Sequence, residues 1–252
     1  MNDISGKIQG DKMNHSHMFT CRQVAGSLTV TFLATVLLSD VTAVAQNPQL
    51  EEKLMAVHQA QMVNKQKLAQ YTWQESETIS IKGEVKDTKV YQVQMVNGQQ
   101  QKTLVNNEQA QSGGREGRLK ERIIEKKTEE YEQYGQQIGA LAKQYTAPNP
   151  EALMQAKQAG NISLQLGPGT VSLVIKNYVK TGDSMTMTIS EQTHSPVSVQ
   201  VNSYLNDPKD AVTINAQFAQ LPDGTNHVAS TSINGVSKEL TVNEVNSNYQ
   251  KM

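Results

Sequence analysis

The sequence predicts an α+β protein: a curved antiparallel β-sheet, a half-barrel of roughly ten strands, covered by an N-terminal helix and a central helical insertion. Two observations carry most of this. Apolar residues recur at helical spacing near residue 50 and again between 115 and 159, whereas elsewhere they alternate with polar ones at the period of two that marks a half-buried strand. A third is the regular appearance of Gly, Pro, Asn and Asp between the alternating segments, the punctuation of a meander that curls toward a barrel.

Ahead of the domain stands a segment suited to export. Arg22 precedes the one sustained apolar stretch, Val24 to Val44, and Ala43 and Ala45 close it with small side chains, the order found in a secretory signal peptide. A membrane-spanning helix needs about 20 predominantly apolar residues. Here Thr29, Thr31, Thr35, Ser39 and Asp40 interrupt the run. Cleavage is therefore expected between Ala45 and Gln46, leaving 46–252 as a single domain with its helical insertion at 115–159. Starts at Met13 or Met18 shorten the 45-residue leader to 33 or 28 residues. Cys21 precedes the apolar core, the wrong place for a lipidated cysteine. The mature protein is expected to have no stable membrane anchor and to be periplasmic or secreted.

Residues 46–252 number 207, with 20 basic and 21 acidic side chains. A near-neutral balance gives no electrostatic reason to expect nucleic acid as a partner. The chain's one cysteine lies in the leader, so the domain lacks disulfides, thiol catalysis and cysteine-ligated metals.

In order along the domain, Leu50, Leu54, Val57, Met62 and Leu68 mark an amphipathic helix. From Tyr71 the period changes. Tyr71, Trp73, Ile79 and Ile81 share one strand face, and Thr72, Gln74, Ser76, Thr78 and Ser80 share the other. Gly83 turns the chain into a second strand, in which Lys89, Tyr91, Val93 and Met95 alternate with Val90, Gln92 and Gln94. Asn97-Gly98 closes the next hairpin, because both residues tolerate positive φ, and a third strand runs from about Gln100 to Val105.

A polar break over 106–114 leads to a helix from Arg115 to Tyr145, whose apolar face carries Leu119, Ile123, Tyr131, Tyr134, Ile138, Leu141 and Tyr145. Asn149-Pro150-Glu151 supplies an N-cap, a residue preset for the first helical position and a first-turn acid, so a short helix is expected to end before Gly160. Strands are then expected at 161–166, 170–179, 184–190, 197–204, 211–219, 226–233 and 239–247. The turns assigned between them include Lys180-Thr-Gly-Asp183, Pro222-Asp-Gly224 and Asn234-Gly235.

Gly182-Asp-Ser-Met185 resembles the nucleophile block of GDS-type esterases, but it joins two strands, and Asp223 and His227 are spaced one residue too widely. A hairpin turn explains it better. His58, His194 and His227 lack the paired spacing of metal ligands. Arg115, Arg118 and Arg122 begin a helix on which six basic and six acidic residues alternate through Glu132, a solvated face. Glu75 and Glu77 share the face of Trp73 and Ile79, where an exposed outer-strand pair is expected in preference to an acid/base pair. No catalytic residue, metal site or cofactor is assigned, and the protein is expected not to be an enzyme.

The more suggestive pattern is apolar. Tyr71, Trp73, Tyr91, Met95, Met185 and Met187 place flat rings and flexible thioethers on strand faces. Such an adaptable surface suits a hydrophobic ligand, although plain packing of helices on the sheet is the simpler explanation.

Leu68-Ala-Gln-Tyr71-Thr-Trp73, Lys82-Gly83-Glu84-Val-Lys86, Val90-Tyr-Gln92-Val93, Gly117-Arg118-Leu and Glu125-Lys-Lys127 resemble segments of uncharacterised exported bacterial proteins. The order of a leading helix, hairpins, central helices and a returning meander is similar to the periplasmic lipoprotein-carrier half-barrel, the LolA/LolB-like fold. That resemblance implies a concave face holding a lipid or a lipidated protein. An interaction protein with a filled core is the alternative, and a serine hydrolase using Ser184 the last.

Overall fold

The structure is a computed structural model and describes residues 48–109, 118–146 and 150–252. The leader, the Ala45/Gln46 junction and Arg115 lie outside the described residues, as do the side chains of His58, Arg118 and Arg122.

Helix α1 (Pro48–Leu68) leads into β1 (Tyr71–Ile81), β2 (Glu84–Val96) and β3 (Gln99–Gln109). Helices α2 (Arg118–Thr146) and α3 (Pro150–Gln158) follow, and then the meander β4 (Ile162–Gly167), β5 (Thr170–Lys176), β6 (Ser184–Ser190), β7 (Pro196–Tyr204), β8 (Ala211–Gln220), β9 (Asn226–Gly235) and β10 (Leu240–Lys251). The ten strands form one open sheet in the order β3-β2-β1-β10-β9-β8-β7-β6-β5-β4, every neighbouring pair antiparallel. The last strand thus returns beside the first, joining two meanders into one curved surface.

Local chemistry sets the hairpins. Lys82 and Gly83 have φ of 53° and 78°, and Asn97 and Gly98 have 52° and 77°. Two successive positive φ values match the right-handed twist of the flanking strands. Asn234-Gly235, expected to turn, instead ends β9, and the bend falls on the next residues, with Glu239 at φ 48°. Gly235 has a different reason to be glycine. A Cβ there would lie 2.5 Å from the Tyr134 ring of α2.

The two sheet faces differ. The outer one carries Ser, Thr, Asn and Gln, with Ser172 and Thr188 hydroxyls 3.0 Å apart and Thr241 donating to Asn234 at 2.9 Å. The inner one meets the helices. α2 presents Tyr134, Ile138, Leu141 and Tyr145, α3 adds Leu153 and Ala156, and α1 contributes Val57, all in one core with the inner residues of β5 to β10. Its ends are pinned: Tyr134 donates to Asp210 at 2.7 Å, and Lys238 meets Glu130 at 3.2 Å. At the opposite end of the strands, Asn64 of α1 exchanges hydrogen bonds of 2.6 and 2.8 Å with the Asn226 backbone. Among the described residues no helix is long and apolar enough to cross a membrane.

Candidate binding site

Two neighbouring cross-strand rows define the inner face. One runs Ile175, Met185, Val201, Ile214, Ile233, Val242 and Ile79, from β5 to β1 without a polar residue. Its neighbour begins likewise, with Leu173, Met187, Val199 and Ala216, then changes to Thr231, Glu244, Glu77 and Lys89. The change falls between β8 and β9. An apolar half of the face thus adjoins a polar half made by β9, β10, β1 and β2.

The polar half is buried despite its charge. Glu75, Glu77, Asp87, Lys89 and Glu244 are 3%, 1%, 6%, 8% and 4% exposed. Glu75 and Glu77, expected at an exposed outer strand, therefore lie on the covered face. Their partners come from distant sequence: Lys102 of β3 pairs with Glu75, and Lys89 lies 3.1 Å from Asp87 and 3.7 Å from Glu77. Four carboxyls thus meet two lysines. Burial raises the Glu77 carboxyl above the usual range, against the pull of Lys89 and Lys102. Burial, reinforced by Glu75, pushes Glu244 up to about 8. A proton held by Glu244 at neutral pH removes part of the excess negative charge, which such depth would otherwise penalise.

Beside these carboxyls stands an aromatic group. Trp73 stacks on Tyr249 with ring centroids 5.4 Å apart, Tyr71 meets the Tyr249 edge at 6.4 Å, and His227 lies 4.2 Å from the same ring. The indole donates to Asn246 Oδ1 at 3.0 Å, and Asn246 in turn donates to the Val228 carbonyl. The positive φ of Asn248, 54°, accompanies a register shift in the β1/β10 pairing opposite Trp73, as expected of a bulge that re-aims a side chain. Burial lowers the His227 pKa and raises that of Tyr249, so both stay neutral near pH 7.

The structure divides the six side chains predicted to contact a ligand. Tyr71 and Trp73 are buried but stand apart from the continuous apolar core. Tyr91 sits across from Glu75, with the Lys102 ammonium 5.8 Å from its ring centroid, and Met95 follows on the same strand, half-buried. Met185 and Met187 are 1% and 3% exposed within the core shared with α2 and α3. Sequence reasoning missed Thr231, Glu244, Asn246 and Tyr249. The available signal was period two: Glu244 continues the inward series Leu240, Val242.

Asp183 shows what the Gly-Asp-Ser segment does. Its carboxylate accepts the backbone N–H groups of Tyr178, Val179 and Lys180 at 2.7 to 2.9 Å, and Tyr145 OH lies 2.5 Å away. It organises the turn and anchors the end of α2. Ser184 alternates with inward Met185 and so points to the outer face, whereas His227 contacts the inner aromatic group. His194 lies elsewhere, on a groove of about 520 Å³ between α1 and the β6–β7 and β8–β9 turns. Among the described residues no group of three or more His, Cys, Asp or Glu is placed to hold a metal ion.

No family model matches the chain, and none of the curated proteins compared with it is similar in sequence. Three solved structures are similar. A Vibrio parahaemolyticus domain named for outer membrane lipoprotein sorting has a TM-score of 0.41 at 8% identity, over 78% of this chain and 91% of that one. A DUF1329 family protein from Desulfovibrio piger gives 0.36 at 9%, over 78% and 92%. A LolA superfamily protein from Nitrosomonas europaea gives 0.33 at 10%, over 76% and 93%.

Proposed function

We propose that this chain is an exported, non-catalytic envelope protein that takes up a hydrophobic or amphiphilic ligand, a lipid or a lipidated partner, on the polar half of its inner face. The supporting observation is the separation of Tyr71, Trp73 and Val93 from the continuous core: they are 9%, 2% and 0% exposed yet do not belong to it. Rings and aliphatic surface next to paired charges suit a molecule with an apolar body and a polar end. Tyr91 and Met95 extend that surface along β2, whereas Met185 and Met187 lie on β6 in the filled apolar half.

Trp73, the only tryptophan, reports on the site directly. Protein purified from the envelope, starting at Gln46, is expected to carry amphiphile detectable by native mass spectrometry and lipid extraction. Its Trp73 emission should transfer energy to a fluorescent fatty-acid probe. Absence of both ends the carrier reading. The filled half, with Met185 and Met187 packed under α2, favours the second reading, an interaction protein. That reading predicts no bound amphiphile and reproducible protein partners.

A further inference from the structure

Two side chains on the polar half, Glu77 and Thr231, have hydrogen-bonding capacity that the described residues leave unused, and Glu244 lies between them in the same row. Glu77, Glu244 and Thr231 are direct cross-strand partners on β1, β10 and β9. Directly opposed side chains have Cβ atoms roughly 4.5–5.5 Å apart, so their polar ends converge on one spot. Glu77 Oε2 and Thr231 Oγ1 are buried with no hydrogen-bond partner among the described residues, and the two residues are 1% and 2% exposed. Buried polar atoms are almost always paired. Two unpaired in one row, with both Asp87 oxygens of the next row also lacking a hydrogen-bond partner among the described residues, mark a place that another molecule completes.

Charge narrows the class of that molecule. Asp87 is matched by Lys89 and Glu75 by Lys102, which leaves Glu77 and Glu244 in excess, with Lys89 only 3.7 Å from Glu77. The vacant acceptors are thus one Glu77 oxygen and the Thr231 hydroxyl, with the Glu244 carboxyl between them, and a primary ammonium offers three N–H donors to this row. Metal ions want more ligands than this row supplies, and no described group of three or more His, Cys, Asp or Glu could hold one. Ile79, Val242 and Ile233 form the apolar row next door, and Trp73 lies four residues before Glu77 on the same strand face.

We infer that Thr231, Glu244 and Glu77 seat the primary ammonium group of an amine-bearing ligand, whose apolar part extends along the Trp73 and Tyr249 side of the face. This rests on the carrier reading and names the head group that the carrier selects. Seated there, the ammonium is desolvated, the proton that Glu244 otherwise holds passes to solvent, and the resulting carboxylate pairs with the ammonium in a charge-assisted bond, about twice the strength of a neutral one.

The test compares dodecylammonium, dodecyltrimethylammonium and laurate, each below its micelle concentration, by Trp73 fluorescence and native mass spectrometry on the mature protein. Butylammonium, which lacks a chain, is followed by calorimetry. Dodecylammonium is expected to bind roughly tenfold or more tightly than the other two chains, as charge-assisted contacts require. That preference, and butylammonium binding, should vanish in Glu244→Gln and weaken in Thr231→Val, while laurate affinity is unchanged. Two variants guard against misfolding of either one, checked by circular dichroism. Equal affinity for all three chains, or a preference that survives Glu244→Gln, overturns the ammonium site and leaves the carrier standing. Failure of every probe overturns both.

Discussion

Leu173, Met187, Val199 and Ala216 occupy the same cross-strand row as Thr231, Glu244, Glu77 and Lys89, and both groups are largely shielded from solvent. Backbone geometry is shared; side-chain satisfaction is not. In the first half α2 and α3 meet the row with apolar atoms and complete it. In the second, the atoms that would complete Glu77 and Thr231 are not supplied by any described residue. A core of the first kind needs only volume filled, whereas one of the second needs a charge and directed donors. The contrast sets a filled half beside one in which described residues leave Glu77 and Thr231 unfinished, and it is there that the proposed ligand would sit.

The largest expected effect tests whether the first half is as filled as it looks. Ile138 is 0% exposed in the core, and Ile138→Ala should cost about 2–5 kcal/mol by urea unfolding. Emission of the folded protein from Trp73, which lies outside that core, should not change. A cost below about 1 kcal/mol would show a side chain free to collapse or a cavity already present, and the distinction between the halves would weaken.

Acidity offers the next test, because the halves should respond differently. Glu244 moves from an ordinary 4.5 to about 8 in the folded state. The folded state therefore holds a proton that the unfolded chain has lost. Its contribution to stability is complete below about 4.5 and disappears as pH rises to about 8. Glu75, Glu77, Asp87, Lys89 and Lys102 share the site, and Glu77 shifts in the same direction. The melting temperature is expected to fall by several degrees across that window, and Glu244→Gln should flatten the curve. A wild-type profile that rises instead would mean that Glu244 is ionised and already compensated.

Much of the architecture was legible in the sequence, for a local reason. Alternation in Tyr71–Ile81 and Ser184–Ser190, the Asn97-Gly98 turn and the Pro150-Glu151 start all act within a few residues, and each appears near its expected place. Glu75 and Glu77 were misread because acids are usually exposed unless paired, and their pairing depends on Lys102, Lys89 and Glu244 arriving by strand register. Alternation put both acids on the face of Trp73, but it cannot say what covers that face. Asn234-Gly235 failed similarly: the signal for a turn residue is also the signal for a close approach, here by Tyr134.

Gly235→Ala makes that last point measurable and lies on the border between the halves, since Gly235 pairs with both Val212 and Leu240. The new methyl would meet Tyr134 ring atoms at 2.5 to 2.8 Å, too close for contact without moving α2. Overpacking of this kind costs about 1–3 kcal/mol. Gly235's φ is not among the positive ones, so backbone strain does not contribute, and a Tyr134→Leu background, which removes the ring, should recover part of the loss. Without recovery, the glycine would be explained by something other than α2.

The smallest effect concerns the tie between the aromatic group and the end of the sheet. Tyr71 OH donates to Asp223 at 2.8 Å, Asp223 Oδ1 accepts the Thr225 N–H at 2.9 Å, and Lys67 of α1 reaches the Asp223 carbonyl at 3.3 Å. Tyr71→Phe removes one hydrogen bond to an exposed carboxylate that water can replace, while the ring keeps its edge contact with Tyr249. The expected loss is about 0.5–1.5 kcal/mol, with amphiphile affinity unchanged by Trp73 titration. A loss of affinity larger than the loss of stability would add the Tyr71 hydroxyl to a binding surface that otherwise uses only its ring, so this substitution separates a hydroxyl that holds β1 in place from one that holds a ligand.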